Sequence, residues 1–297
     1  MPVDAKTFRP TPHGKVHCCT SCSFEYIAPR PTPQETAGFY DIGGYYTQGR
    51  DNAPQVGPPG WLARLRTHLA WRFDRSQDIA DVITERLAAG AAVVDIGCGD
   101  GSMIAILSQR GFRMTGVERD ARSVSLRDQA AQVFEGSAEA LPAQLPRAGF
   151  DAVMFRHVLE HLVDPVAAMR AAAALLKPGG LLFAEVPNNE SATALELGLS
   201  WEHLDIPRHI NFFSATTLLA AARRAGLAIE RPFFNEYCRM FDDGLIAKEQ
   251  RIFDHLIGAQ PAQRNSSVRA WRLLLRTLRA RPELKYDSVG VVAVKPG

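Results

Sequence analysis

A short apolar run, Val93-Val94-Asp95-Ile96, passes straight into Gly97-Cys98-Gly99-Asp100-Gly101, and a stretch of helical period opens at Ser102. A strand that turns through glycines into a helix is the first half of a strand–helix–strand unit, which few folds employ. Glycine permits left-handed backbone and close approach of a ligand, and the helix start presents N–H groups with no partner in the helix. The alternation continues downstream. Strands are predicted at Ala91–Ile96, Arg113–Glu118, Val133–Glu135, Asp151–Phe155 and Leu181–Val186. Helices are predicted at Ser102–Arg110, Ser123–Gln132 and Val166–Leu176, the last ended by Lys177-Pro178-Gly179-Gly180. Such alternation predicts an α/β fold: a doubly wound, mostly parallel, Rossmann-like sheet with helices on both faces.

Further elements flank this core. From Trp61 to about Ala89 the period is helical, with Leu62, Leu65, Leu69 and Phe73 on one face and then Ile79, Val82, Ile83 and Leu87 on another run. Ala215–Ala225 is expected to be a helix, Leu227–Phe234 a sixth strand and Ser288–Lys295 the closing strand. Residues 1–60, rich in Pro, Gly, Thr and Tyr, form an N-terminal extension ending in a Pro/Gly linker, and 61–297 form the main domain. Within that domain, residues 239–285 are a basic helical insertion before the last strand.

The bulk numbers remove several classes. With 46% hydrophobic and 22% charged residues the chain can bury a sizeable core. A net charge of +2 supplies no general attraction to nucleic acid. No run of 18 apolar residues is present, so stable membrane insertion is not expected. The start, Met1-Pro2-Val3-Asp4-Ala5-Lys6, lacks an apolar signal core. Five unevenly placed cysteines do not make a disulfide framework, so a cytoplasmic location with reduced thiols is expected.

Two acids qualify the glycine turn. Asp95 stands at the strand end, where it would repel a pyrophosphate but can accept from an ammonium group. Glu118 ends the next strand, 23 residues on, which suits hydrogen bonding to ribose hydroxyls. Ser102 stands where the dinucleotide fingerprint places Gly or Ala, which argues against a nicotinamide dehydrogenase. The plainer alternative for Glu118 is a solvated loop acid.

Taken in order, five segments resemble the motifs of class I S-adenosylmethionine-dependent methyltransferases. They are Val93–Gly101, Thr115–Asp120 around Glu118, Gly136–Pro142, Phe150–His161 and Leu175–Leu182. The resemblance covers about 91–187 and implies a seven-stranded sheet whose last strand is antiparallel. It implies S-adenosyl-L-methionine as cofactor, held by Asp95, Gly97, Gly99 and Glu118 with Arg119 adjacent. Ala138 and Glu139 would lie near adenine and Arg156 at the pocket floor.

Histidines suggest the chemistry. His157, Glu160 and His161 would share one face if the stretch were helical, and such a set could supply a base or bind a divalent metal. The stretch also fits the H-x-x-E-H pattern of a zinc peptidase class. It is more similar to the E-x-x-E-H segment of ubiquinone-type O-methyltransferases, with His157 in place of the first Glu. That departure leaves a metal open and unassigned. Farther on, Pro207-Arg208-His209-Ile210-Asn211-Phe212-Phe213-Ser214 resembles the P-R-H-x-x-x-F-S signature of methyltransferases in sugar, cell-envelope and secondary-metabolite pathways. His209 is the first candidate for a base at the acceptor, followed by His157 and His161. Alternatively Arg208 and His209 brace the loop, and Trp201, Phe212 and Phe213 pack.

At the N-terminus, Cys19-Thr20-Ser21-Cys22 is a lone C-x-x-C pair with His17 and Cys18 beside it. A zinc ribbon needs a second pair. The segment resembles the second half of the zinc-ribbon leader that precedes some of these enzymes, here degenerate, with His13 and His17 as the substitutes available. In that family tyrosines after the leader approach the cofactor, which points to Tyr45 and Tyr46. Arg264, Arg269, Arg272, Arg276, Arg279 and Arg281 decorate an amphipathic helix that reads as a solvated face, a membrane-surface helix, or an anchor for an anionic acceptor.

Together these readings predict methyl transfer to a small-molecule acceptor, O-methylation first and N- or C-methylation second. A metallohydrolase and a non-catalytic nucleotide-binding protein are the rivals of another class. The acceptor and the oligomeric state are not encoded in any motif found.

Overall fold

The structure, a computed structural model, describes residues 9–11, 14–32, 35–36, 60–125, 131–198, 201–237, 241 and 267–297. The chain divides into two compact units. One comprises 77–186, 215–233 and 290–297, the other 1–76, 187–214 and 234–289.

The first of these is built on a seven-stranded sheet. Its strands are β4 (Ala92–Ile96), β5 (Arg113–Glu118), β6 (Gln132–Glu135), β7 (Phe150–Arg156), β8 (Leu176–Pro187), β10 (Ala228–Asn235) and β11 (Ser288–Val294), in the order β10-β11-β8-β7-β4-β5-β6. The ladders β4–β5, β4–β7, β5–β6 and β7–β8 are parallel. Gly179 N–H donates to Lys295 O and Lys295 N–H to Gly180 O, so the end of β11 meets the start of β8 and β11 runs antiparallel. Strands inside a covered parallel sheet are buried on both faces and therefore read as unbroken apolar runs. Val93, Val94 and Ile96 are all fully buried, as are Val153, Met154 and Phe155 on the neighbouring strand. The chain proceeds from β4 outward to β6, then returns to β7 beside β4. Ligands of such sheets bind outside the carboxyl ends of the two strands where the order reverses.

Helices in this unit are α2 (Ile79–Arg86), α3 (Ser102–Gln109), α4 (Pro165–Ala173) and α6 (Ala215–Arg224). Asp78 caps α2 by accepting from Ala80 N–H. Asp164 caps α4 by accepting from Ala167 N–H, with Pro165 at the first helical position. Ile79, Val82, Ile83, Ile104 and Leu107 join Met154, Phe183 and Phe233 in one core.

The other unit carries an antiparallel sheet of β1 (Arg9–Thr11), β2 (Gly14–Cys18), β3 (Glu25–Ala28) and β9 (Asn211–Phe212), ordered β1-β2-β3-β9. Its helices are α1 (Trp61–Phe73), α5 (Ala192–Leu197), α7 (Ser267–Thr277) and α8 (Pro282–Lys285). Ala70, Ala192, Tyr237, Phe241, Leu273, Leu274 and Tyr286 form its core. Two cations are buried in it usefully: Arg66 donates to Phe241 O (3.2 Å), and the Lys285 ammonium donates to Phe73 O (2.5 Å) while lying 4.3 Å from the Tyr237 ring centre.

The two helical runs read after Trp61 are two helices, because Asp74 and Asp78 each hold backbone N–H groups with their side chains and stop the first and start the second. Three expectations are corrected. Of the helix expected over Ser123–Gln132, Ser123 instead ends a 3₁₀ turn (Ala121–Ser123), Val124 and Ser125 are irregular and Gln132 belongs to β6, while 126–130 lie outside the described residues. Lys177-Pro178-Gly179-Gly180 is not a turn before the strand but a bulge within β8, where Gly179 has φ +74° and the register against β7 slips. Residues 157–161 are not one helical face, as described below. Of the expected insertion 239–285, α7 and α8 are helical and 278–281 join them; residues 239–240 and 242–266 lie outside the described residues.

Gly290 marks the tightest packing in the sheet. A β-carbon there would sit 2.0 Å from the Phe233 ring. Gly290→Ala is expected to lower unfolding stability by about 1–3 kcal/mol, the usual cost of overpacking, as measured by urea denaturation.

Candidate functional site

The turn after β4 is held open by backbone chemistry. Gly97, Gly99 and Gly101 take φ of +78°, +55° and +84°, left-handed values that only glycine adopts at low cost. Gly97 and Cys98 N–H both donate to Val117 O, which ties the turn to the end of β5. The three glycines do different things. A β-carbon on Gly97 would strike the Val158 side chain at 2.6 Å, whereas one on Gly99 would meet nothing within 4 Å. Gly97 therefore serves packing against the loop after β7, and the backbone of Gly99 borders open space.

Glu118 closes this rim. Its two carboxylate oxygens accept from Gly99 N–H (2.7 Å) and Arg119 N–H (2.8 Å). A carboxylate has roughly four lone-pair directions, so two remain for hydroxyl donors. Asp95, 2% exposed, stands at the end of β4. Burial pushes its carboxyl up to about 7, the Arg156 guanidinium opposing and Glu118 adding to the rise. Burial likewise raises the Cys98 thiol, so it is no nucleophile.

Ala138 is buried in the turn after β6, and Glu139 accepts from Val163 N–H at 2.7 Å. That bond spends one oxygen of Glu139 on joining this turn to the start of α4. Arg156 ends β7 with its Nε 3.9 Å from Glu185 Oε2. The open backbone at Gly99, the anchored carboxylate of Glu118 and the buried acid Asp95 fit a ligand carrying ribose hydroxyls and a cationic group.

The candidate histidines are drawn from both units. In the sheet unit, His157 has φ +54°, its N–H donates to Glu185 O (2.9 Å) and its Nδ1 lies 3.4 Å from Glu160 Oε1. Leu159–His161 is one 3₁₀ turn, and the α-helix begins only at Pro165. The i, i+3, i+4 face assumed for His157, Glu160 and His161 does not exist, because the left-handed residue and the proline on either side exclude a continuous helix. The helix that the H-x-x-E-H pattern requires is therefore absent from this stretch.

In the other unit, His209 is buried and its Nδ1 lies 2.6 Å from His203 O. A carbonyl only accepts, so Nδ1 carries the proton and a neutral ring keeps its lone pair on Nε2. Asp205 Oδ2 is 3.8 Å from that nitrogen. Asp205 is itself gripped by both arms of the Arg208 guanidinium. His203 Nε2 lies 3.2 Å from Glu236 Oε2, which accepts from the Ser288 hydroxyl at 2.7 Å. Trp201 is buried with its ring 5.4 Å from that of His203, and Phe212 and Phe213 are buried, so these aromatics pack.

Sequence reading missed Glu185, His203, Asp205 and Glu236. Glu236 and Ser288 lie too far along the chain for any local pattern to connect them with His203. Among the cysteines, N–H groups of Ser21 and then Cys22 hold the Cys19 thiol below its usual range, in the turn between β2 and β3. His13, Tyr45, Tyr46, Cys238 and Arg264 lie outside the described residues.

Residues 68–231 match the family described as "Methyltransferase domain". The chain belongs to the class I S-adenosylmethionine-dependent methyltransferases. It is 34% identical over 155 residues to a ubiquinone biosynthesis O-methyltransferase of Stutzerimonas stutzeri, covering 48% of this chain and 66% of the relative. To the enzyme of that name from Xanthomonas euvesicatoria it is 33% identical over 162 residues, covering 50% and 67%. The chain thus spans just under two thirds of the first relative and matches it over about half of its own length. Among solved structures, the Burkholderia thailandensis 1,6-didemethyltoxoflavin-N1-methyltransferase, with S-adenosylhomocysteine bound, superposes with TM-score 0.51 at 16% identity, covering 92% and 95% of the two chains. A methyltransferase in complex with the Haloferax volcanii Trm112 activator gives 0.53 at 18%, covering 81% and 100%. These likenesses establish the fold. Among the described residues no helix is long and apolar enough to cross a membrane.

The raised Asp95 carboxyl makes a stability test. The folded state holds this proton up to about pH 7, whereas the unfolded chain releases it near 3.8. Between those values the folded form binds more protons, so stability contributed by this group falls as pH rises, with a slope of at most about 1.4 kcal/mol per pH unit. Asp95→Asn is expected to flatten that part of the profile, measured by urea denaturation from pH 4 to pH 8; an unchanged slope would disprove the assignment.

Proposed function

We propose that the protein transfers the methyl group of S-adenosyl-L-methionine to an oxygen of a small-molecule acceptor. The carrying observation is the Glu118 carboxylate, anchored by two backbone N–H groups at the rim of the glycine turn. In this reading Glu118 receives the ribose hydroxyls. The backbone at Gly97 and Gly99 lines the approach, with Arg119 beside it, and Asp95 faces the cationic end of the cofactor. Ala138 and Glu139 lie toward adenine and Arg156 at the floor; Tyr46 is proposed as a lid.

The sulfonium supplies an activated methyl group, and the reaction is an in-line displacement. The bond from methyl carbon to sulfur breaks as the bond to the acceptor oxygen forms, and the acceptor proton must leave. Alignment accounts for most of the acceleration, with a positioned base adding to it. His209 is proposed as that base, since its Nδ1–H is committed to the His203 carbonyl and Nε2 is the accepting nitrogen. His157, braced by Glu160, and His161 are the second choices. Relatives named for ubiquinone O-methylation favour oxygen over nitrogen or carbon as the acceptor atom. A biosynthetic acceptor from secondary-metabolite, sugar or cell-envelope metabolism is proposed, with no role for nucleic acid and a cytoplasmic setting.

Calorimetry with S-adenosylhomocysteine tests the cofactor assignment. Wild type is expected to bind at micromolar levels and Glu118→Ala to lose at least tenfold, consistent with removing a charged hydrogen-bond acceptor worth about 1.5–3 kcal/mol. Equal binding by the two proteins would refute it. For the base, His209→Ala is expected to lower kcat by about 10²-fold or more on a hydroxyl acceptor with S-adenosylhomocysteine affinity unchanged. Full turnover would transfer the role to His157 or His161.

A further inference from the structure

The helices α1 and α7 leave a face that the proposed chemistry does not use. Tryptophan is among the most buried residues on average. Yet Trp61 and Trp71 are 72% and 73% exposed on α1, with Leu62 and Leu65 also exposed. On α7, Val268 and Leu275 are 70% and 68% exposed. Both helices belong to the same unit and share its core through Ala70, Leu273 and Leu274.

The charge carried by the two helices themselves has one sign, with Asp74 just after α1 and Glu196 beside α7 as nearby acids. Neither α1 nor α7 contains an acidic residue. Arg64 and Arg72 lie on α1, Arg75 follows it, and Arg269, Arg272 and Arg276 lie on α7 with Arg279 just beyond. Glu196, 20% exposed, lies within 3.6–3.9 Å of all three α7 arginines and brings one negative charge to them. Between the end of α1 and the α7–α8 segment lies an open hollow of about 490 Å³, lined by Phe73, Leu275, Leu278 and Leu284 with Arg276 and Arg279.

We propose that this face docks peripherally on an anionic lipid bilayer. The tryptophans and leucines enter the headgroup boundary while the arginines meet lipid phosphates, the pattern of a helix lying on a membrane and not crossing it. A second copy of the chain is a poorer occupant, because a two-fold contact would set this arginine-bearing face against itself.

Sedimentation with large vesicles decides the matter, using the full chain. Binding is expected to vesicles of phosphatidylcholine mixed with phosphatidylglycerol and to be at least tenfold weaker with phosphatidylcholine alone. Both Trp61→Ser/Trp71→Ser and Arg72→Glu/Arg279→Glu should lose at least tenfold in vesicle binding while keeping wild-type affinity for S-adenosylhomocysteine, which certifies the fold. Failure of wild type to sediment with the anionic vesicles overturns the proposal, as does equal sedimentation of wild type and both variants. A dimer in solution that the tryptophan variant abolishes, without vesicle binding, would reassign the face to self-association.

Discussion

The reversal of strand order between β4 and β7 is the constraint on which the sheet unit depends. Two parallel strands that begin excursions in opposite directions leave a crevice at their carboxyl ends, and both following loops must pass its mouth. For β4 the passage is made through three left-handed glycines, and for β7 through the left-handed His157. The two loops fit because Val158 occupies the space that a side chain on Gly97 would have taken. Polar groups then accumulate where the backbone is least able to satisfy itself. Glu118 takes up the Gly99 N–H, and Glu185 O takes up that of His157.

Much of this was readable in the chain. Val93-Val94-Asp95-Ile96 announces a strand covered on both sides, and Gly97, Gly99 and Gly101 mark the left-handed positions by residue type alone. Arg113–Glu118 was bounded without error, since a strand between Gly111 and a turn has clear limits. The proposed cofactor side is legible for the same reason: its residues follow strand ends at near-fixed spacing.

Other parts were opaque for identifiable reasons. His157, Glu160 and His161 carry helical spacing, but spacing does not reveal that His157 lies left-handed or that Asp164 and Pro165 postpone the helix. The glycine pair of Lys177-Pro178-Gly179-Gly180 looks like a turn, and only pairing with β7 shows that the strand continues through it as a bulge. The two-residue strand β9 is too short to carry a period of its own, and it exists because Glu25 and Tyr26 of β3 pair with it. The His203–Glu236–Ser288 set unites three distant segments and leaves no trace in local sequence.

That long-range construction has a consequence for how the molecule is made. The hairpin of β2 and β3 is made well before the strand that extends it, β9, which arrives only with Asn211. The core around Tyr237 closes only when Leu273, Leu274 and Tyr286 are present, and the main sheet gains β11 only with Ser288–Val294. Contacts between distant segments form slowly because the intervening chain must first be gathered in. Both units therefore keep apolar strands and helices waiting for partners until the segment from Leu273 to Val294 has been made.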